Sequence, residues 1–288
     1  MKKRSILNTP RLKEFKKRKR KVIRNRIIFF IILFLIFFVG LAFLSHWKKI
    51  NIETIQIQGN RVVETQQIEN IVNETMQGKY FWLFSQKNSF IYPKEKIKNE
   101  LKQQFKRLKD ITISVDVNDL KTLSIVVSEY DGKYLWCGIN IPENFTSQQC
   151  YFLDSDGYLF DEAPYFSGEV FFKFYGKLDS DLQNPIGIHF SQQYFEKIIS
   201  LKEAMEKMNL KPSIFYLEDA EDGNIYLSSD NQPPNAPKII FKLDSDYNKL
   251  IENLQSAITT EPLQINLKDT LSSLSYIDLR FGNKVYFK

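Results

Sequence analysis

Hydrophobic and polar positions along the chain fall into three regimes with different periods. Ile27 to Leu44 is an unbroken run of eighteen residues with no charged or polar side chain. At about 1.5 Å of rise per residue, that length just crosses a hydrocarbon core of roughly 30 Å. From Lys48 onward, short alternating stretches are interleaved with stretches that step by three and four. Ile50, Ile52, Ile55 and Ile57 predict a strand that Gly59-Asn60 turns. Ile68, Ile71, Val72, Thr75 and Met76 predict a helix with Thr65 as its cap and Gly78 as its stop. Pro93 opens a second helix whose stripe is Ile97, Leu101, Phe105 and Leu108. Ile111, Ile113, Val115 and Val117 then alternate, as do Leu123, Ile125 and Val127, which gives the order β-α-α-β-β.

Beyond residue 130 the strands outnumber the helices. Strands are predicted around Tyr134 to Trp136 and from Tyr151. A helix follows on Tyr194, Ile198, Leu201, Met205 and Met208, and Pro212 terminates it. Strands at Ile214 to Leu217, Ile225 to Leu227 and Ile239 to Phe241 surround a loop holding Pro233, Pro234 and Pro237, and Leu250, Ile251, Leu254 and Ile258 mark a last helix. The closing hairpin alternates Ile277, Leu279 and Phe281 on one strand and Val285 and Phe287 on the next. A two-residue Gly282-Asn283 loop would pair Phe281 with Lys284 and put Val285 and Phe287 on the opposite face. A three-residue loop ending at Lys284 gathers all five apolar residues on one face and leaves Asp278, Arg280 and Tyr286 on the other. The three-residue loop is the expectation. The fold class is then α+β: a single transmembrane helix, a β-α-α-β-β domain and a mixed α/β carboxy-terminal β-domain.

Charge sets the orientation of the apolar run. Residues 1 to 26 hold thirteen Lys and Arg against Glu14, a charge of +12, so residues 27 to 288 carry −6 of the net +6. The pI near 9.0 therefore belongs to a tail. Only Lys48 and Lys49 follow the run closely, and this asymmetry places the amino terminus in the cytoplasm, with Trp47 as an interfacial anchor. A cleaved signal peptide is the competing reading, since Gly40-Leu41-Ala42 supplies small residues, but the long charged lead and the continuation through Phe43 and Leu44 favour a retained anchor. The tail itself, Arg18 to Lys21 included, is read as a topology signal lying on anionic lipid. No nucleic-acid partner is expected, because Phe15 alone interleaves the charge. A hydrophobic content of 43% with 26% charged residues excludes a disordered or multispanning chain.

Candidate chemistry is sparse. His46 lies at the membrane edge and His189 stands between Ile188 and Phe190, neither with a co-ligand or nucleophile placed nearby, so no catalytic, metal or cofactor site is expected. Asp154, Asp156, Asp161 and Glu162 suggest calcium, but Gly157 falls at position four where a calcium loop of the EF-hand type needs glycine at six. Asp154 to Gly157 is therefore read as a β-turn. Cys137 and Cys150 flank the connection between two successive strands in a compartment that permits oxidation. A disulfide between them is expected, with two buried free thiols as the alternative, and closing that loop contributes about 3 kcal/mol in the chain-entropy view.

Four motifs in order carry a resemblance. Ile52-Glu53-Thr54-Ile55-Gln56-Ile57-Gln58-Gly59-Asn60 and Leu120-Lys121-Thr122-Leu123-Ser124-Ile125-Val126-Val127-Ser128-Glu129 are similar to the first and last strands of the POTRA domain found in the FtsQ/DivIB cell-division family, although Leu120 stands where that family usually has Pro. Tyr151 to Phe160, with Asp154 and Gly157, resembles its hairpin, and Tyr276 to Lys288 its terminal segment. The resemblance implies a basic tail at 1–26, a signal-anchor helix at 27–47, a POTRA-like domain at 48–129 and an FtsQ-type β-domain at 130–288. It also implies a non-enzymatic scaffold at the division septum that helps regulate septal peptidoglycan synthesis. Its partners would be bitopic coiled-coil proteins of the FtsB/DivIC and FtsL kinds, docked at Arg280, Phe281, Val285 and Phe287. For the apolar three of these, packing in the core is the alternative, and for Arg280 a pair with Asp278. A POTRA-type module for envelope protein assembly or secretion, in which a β-barrel is expected to follow, is a second reading. A membrane-anchored envelope hydrolase is a third, and would need a nucleophile or metal set.

Overall fold

The computed structural model describes residues 10–142, 145, 148–166, 168–180, 184–219, 221–229, 233, 235–261, 263 and 274–288, with side chains of the first helix from residue 17. Pro234 and the first nine residues of the basic tail lie outside the described residues. The protein is a mixed α/β chain with an apolar amino-terminal helix and a β-rich carboxy-terminal region. It divides into two compact units, one of residues 1–105 and 110–128, the other of 106–109 and 129–288.

In the first unit, helix α1 spans Pro10–Ser45. Its segment Lys17–Ser45 is long and apolar enough to cross a membrane, its most apolar eighteen-residue stretch having a mean hydropathy of 3.3. A three-residue 3-10 turn, Lys48–Ile50, leads into β1 (Thr54–Gln58). Helices α2 (Thr65–Met76) and α3 (Lys94–Gln104) are separated by the small hairpin of β2 (Lys79–Tyr80) and β3 (Phe84–Ser85). Strands β4 (Leu108–Val115) and β5 (Thr122–Glu129) complete a sheet of order β1-β5-β4, with β1 parallel to β5. Ile68, Val72 and Met76 of α2, Ile97 and Leu101 of α3, and the alternating Leu123, Ile125 and Val127 of β5 are all buried. The helical period of three and four and the strand period of two thus deliver one apolar face each.

Several local expectations are corrected. Thr65 is not a cap but the first helical residue; the extended Glu64 precedes it without a side-chain cap bond, and the Thr65 hydroxyl instead accepts from Asn60 Nδ2 at 3.0 Å. Leu108 does not continue the α3 stripe. Phe105 leaves helical geometry at φ −118°, and Leu108 is buried as the first residue of β4. An apolar residue at the next helical step looks the same in sequence whether or not the helix has ended. Val117 is exposed beyond the end of β4, where the Asp116 carboxylate accepts from the Asn118 backbone N–H at 2.8 Å and turns the chain. The β2–β3 hairpin is an element that periodicity did not reveal.

The second unit is built on a nine-stranded sheet. Its strands are β6 (Tyr134–Trp136), β7 (Cys150–Leu153), β8 (Leu159–Ala163), β9 (Lys173–Tyr175), β10 (Pro212–Leu217), β11 (Asp222–Leu227), β12 (Lys238–Lys242), β13 (Tyr276–Phe281) and β14 (Lys284–Phe287). Their order is β14-β13-β12-β11-β10-β9-β6-β7-β8. Helix α4 (Phe195–Lys207) links β9 to its parallel neighbour β10, and α5 (Tyr247–Thr259) links β12 to its parallel neighbour β13. A parallel pair needs such a crossover, because a tight turn can only return the chain antiparallel. Alternation sorts the side chains. Trp136, Phe174, Phe215 and Ile225 join Leu201 of α4 and Leu254 of α5 in one core, while Leu135, Tyr175, Ile214 and Tyr226 form a smaller apolar cluster on the other face. Asp246 caps α5, its carboxylate accepting from the Asn248 backbone N–H at 3.1 Å.

Candidate interaction surface at the carboxy-terminal sheet edge

Strand β14 is an outer strand of the large sheet, paired only with β13 among the described residues. The loop that joins them is Gly282-Asn283: Phe281 pairs with Lys284, and Gly282 takes φ +65°. The expected three-residue loop is therefore wrong. The single apolar face it would have made holds except at Phe281: Ile277 stands opposite Phe287, Ile277, Leu279 and Val285 pack on one core, and Asp278 stands opposite Tyr286, whose ring the Phe281 ring meets. The register shifts by one between Phe281 and Asp278, after which Asp278 pairs with Tyr286 and Ile277 with Phe287. Ile277 and Leu279 alternate into the core and Asp278 is buried on the opposite face, while this β-bulge on β13 turns Phe281 away from the face of Ile277 and Leu279.

The four expected contact residues consequently separate. Val285 is half-buried and packs on the core beneath α4 and α5. Phe281 and Phe287 are 55% and 43% exposed, and Tyr286, not singled out from the sequence, is 50% exposed. The rings of Phe281 and Tyr286 meet edge to face with centroids 5.2 Å apart. Asn253 of α5 donates to the Gly282 carbonyl at 2.7 Å and ties the hairpin tip to the helix. Aromatic residues on a sheet edge combine open backbone groups with apolar area, which is what strand addition by another chain requires.

Arg280 anchors the inner side of this surface. Its Nε and Nη2 donate to Asp278 at 2.9 and 2.7 Å, and its Nη1 donates to Asp222 of β11 at 2.6 Å. Asp278 is buried. Burial pulls its carboxyl upward, but hydrogen bonds from the Arg280 side chain and backbone, with the Arg280 charge, outweigh that and hold it below the usual carboxylate range. The same bonds from Asp278 and Asp222 raise the Arg280 guanidinium. Two strands apart in the sheet, Asp222 was not legible as a partner, because the pairing of β11, β12 and β13 depends on one loop and one helical crossover.

The other sequence candidates lie elsewhere. Cys137 and Cys150 are joined by a disulfide across the β6–β7 pair, with Cα atoms 4.2 Å apart. Gln148 bonds the Cys137 carbonyl and accepts from the Tyr175 hydroxyl at 2.7 Å, so the bridge sits against a half-buried polar contact. The Asp154 carboxylate accepts backbone N–H bonds from Asp156 and Tyr158, each at 2.9 Å, and Gly157 has φ +77°. His189 packs its ring on Tyr158 with centroids 5.1 Å apart, and His46 Nδ1 lies 2.9 Å from the Ala42 carbonyl. Among the described residues, no group of three or more His, Cys, Asp or Glu is placed to hold a metal ion.

No family model matches this chain. No curated protein is significantly similar to it.

Proposed function

We propose that the protein is a single-pass, non-enzymatic scaffold of the FtsQ/DivIB kind, with its basic tail cytoplasmic, both units extracytoplasmic, and a role in linking division proteins at the septum. The observation that carries this reading is the β13–β14 edge, where Phe281, Tyr286 and Phe287 are exposed beside an outer strand that pairs on one side alone among the described residues. A scaffold needs such a surface, and main-chain pairing with aromatic anchors suits an extended segment of a bitopic coiled-coil protein of the FtsB/DivIC or FtsL kind. The strand and helix order of the first unit, β1-α2-α3-β4-β5 around a short hairpin, fits a POTRA-like domain. The apolar run Ile27 to Leu44 of α1, behind thirteen cations, fits an anchor with its amino terminus inside.

The test separates interface from fold. Phe281→Ser with Phe287→Ser changes two exposed rings and should leave the melting temperature of the protein nearly unchanged, while abolishing co-purification with the coiled-coil partner and midcell recruitment of a fluorescent fusion. Uniform envelope fluorescence of the unsubstituted fusion would refute the division role. Undiminished partner binding by the folded double variant would refute the edge as the contact.

A further inference from the structure

The β2–β3 hairpin carries large apolar side chains where a turn in water normally carries Asn, Asp or Gly. Its turn closes with the Leu83 N–H donating to the Tyr80 carbonyl at 3.0 Å, and Phe81 and Trp82 stand at φ 49° and 61°. Positive φ at both central residues is the type I′ geometry, in which a Cβ is crowded and glycine is favoured. Here those positions hold two aromatic rings, 84% and 91% exposed, and Leu83, Phe90 and Ile91 are exposed as well. A contiguous apolar patch of this kind marks a surface that something covers.

The contacts with α1 show where the tip points. Ser85 donates its backbone N–H to Ser45 Oγ at 3.3 Å, and Asn88 donates to the Ser45 carbonyl at 3.2 Å. One residue nearer the tip, the Phe84 ring meets Phe38 edge to face with centroids 5.1 Å apart. Ser45 and Phe38 are about 10 Å apart along a helix axis. The hairpin therefore runs back along α1 toward its amino terminus, and Phe81 to Leu83 continue beyond Phe84 in that direction. Phe38 lies inside the apolar run, about 9 Å before its end at Leu44. A hairpin laid against Phe38 therefore reaches past the end of the apolar run, into the depth of the outer acyl chains.

We propose that the Phe81-Trp82-Leu83 tip is a lipid wedge, inserted beside α1 among the outer acyl chains beneath the phospholipid headgroups. The proposal rests on reading α1 as a membrane span. Its occupant is phospholipid because the patch is continuous with the lipid-facing surface of α1 through the Phe38–Phe84 contact, and because exposed cations flank it. Lys48 and Lys87 line one cleft with His46 and Ser85, and Lys79 stands opposite Ser85 in the hairpin. Cations at phosphate level and aromatic rings just below it are the arrangement that a membrane boundary favours. The wedge gives the first unit a second attachment besides the span and holds it against the membrane surface.

Depth measurements on the full chain in phosphatidylcholine and phosphatidylglycerol vesicles test this. A polarity-sensitive fluorophore is attached in turn to Trp82→Cys, Leu44→Cys and Lys96→Cys, with the native cysteines joined to each other. Trp82 is 91% exposed, so its replacement disturbs no packing. The label at 82 is expected to be quenched by lipids brominated on their acyl chains at least to the extent seen at 44, and shielded from aqueous iodide, with the label at 96 on α3 showing the reverse. A label at 82 that iodide reaches as readily as at 96, while the label at 44 stays quenched by lipid, overturns the wedge and leaves the span. If the label at 44 is also in water, the span fails and the wedge falls with it.

Discussion

Arg280 is the residue whose removal should be felt furthest. Without it, Asp278 stays buried as an unpaired carboxylate, and Arg280→Gln should cost about 2 kcal/mol of stability at neutral pH, discounted because the guanidinium is partly solvated. The pH dependence has a definite sign. A carboxyl that titrates lower in the folded protein stabilises fully above its unfolded value, near pH 4, and that stability disappears as pH falls through the folded value. Melting curves of the parent and Arg280→Gln should therefore separate at neutral pH and converge in acid. A gap that persists when Asp278 is protonated would assign the loss to packing instead. Gly59 makes a second prediction at this scale. At φ +90° a Cβ would overlap the Val127 carbonyl of β5, so Gly59→Ala should destabilise the first unit by about 2 kcal/mol or more.

At the scale of elements, two connections can be tested by what they hold. The Cys137–Cys150 bridge closes a thirteen-residue separation between β6 and β7, and replacing both with Ser should lower stability by about 3 kcal/mol. Reductant should produce the same loss in the parent and none in the double Ser variant. The β2–β3 turn makes the opposite kind of prediction. Phe81→Asn with Trp82→Gly supplies the residues a type I′ turn prefers, so in detergent the first unit should melt higher, by about 1 kcal/mol. If the turn residues served the fold alone, the parent sequence would already be the more stable one. Helix α5 links these local facts to the candidate surface, since Leu254 is buried under the sheet while Asn253 bonds the Gly282 carbonyl.

For the whole molecule the decisive expectation is topological. On the proposed orientation, protease added to intact spheroplasts should remove everything beyond about Lys48 and leave α1 with its basic tail. A carboxy terminus that survives until lysis would reverse the orientation and remove the division reading with it. The first unit and the second can be followed separately, because each has its own buried residues: Ile68, Ile97 and Leu123 in one, Phe174, Leu201 and Leu254 in the other.

Periodicity by itself determined the elements that bury one face. The α2, α4 and α5 stripes and the alternation in β5 were legible because burial of one side imposes a period of 3.6 or 2 on the chain, and the eighteen-residue run because it is apolar throughout. The pairing partners were not. Arg280 meets Asp222 only because β12 and β13 run parallel around α5, and a carboxylate 58 positions away leaves no local trace. The register of the last hairpin was decided by tertiary packing as well. Alternation of Ile277, Leu279 and Phe281 called for one apolar face; Ile277 and Leu279 keep it and pack in the core, but a bulge on β13 beside the two-residue turn moves Phe281 to the side of Tyr286. The β2–β3 tip escaped for a related reason: two residues per strand are too few to show a period. Its aromatic side chains acquire a role only when α1 lies beside them, with Phe38 against Phe84.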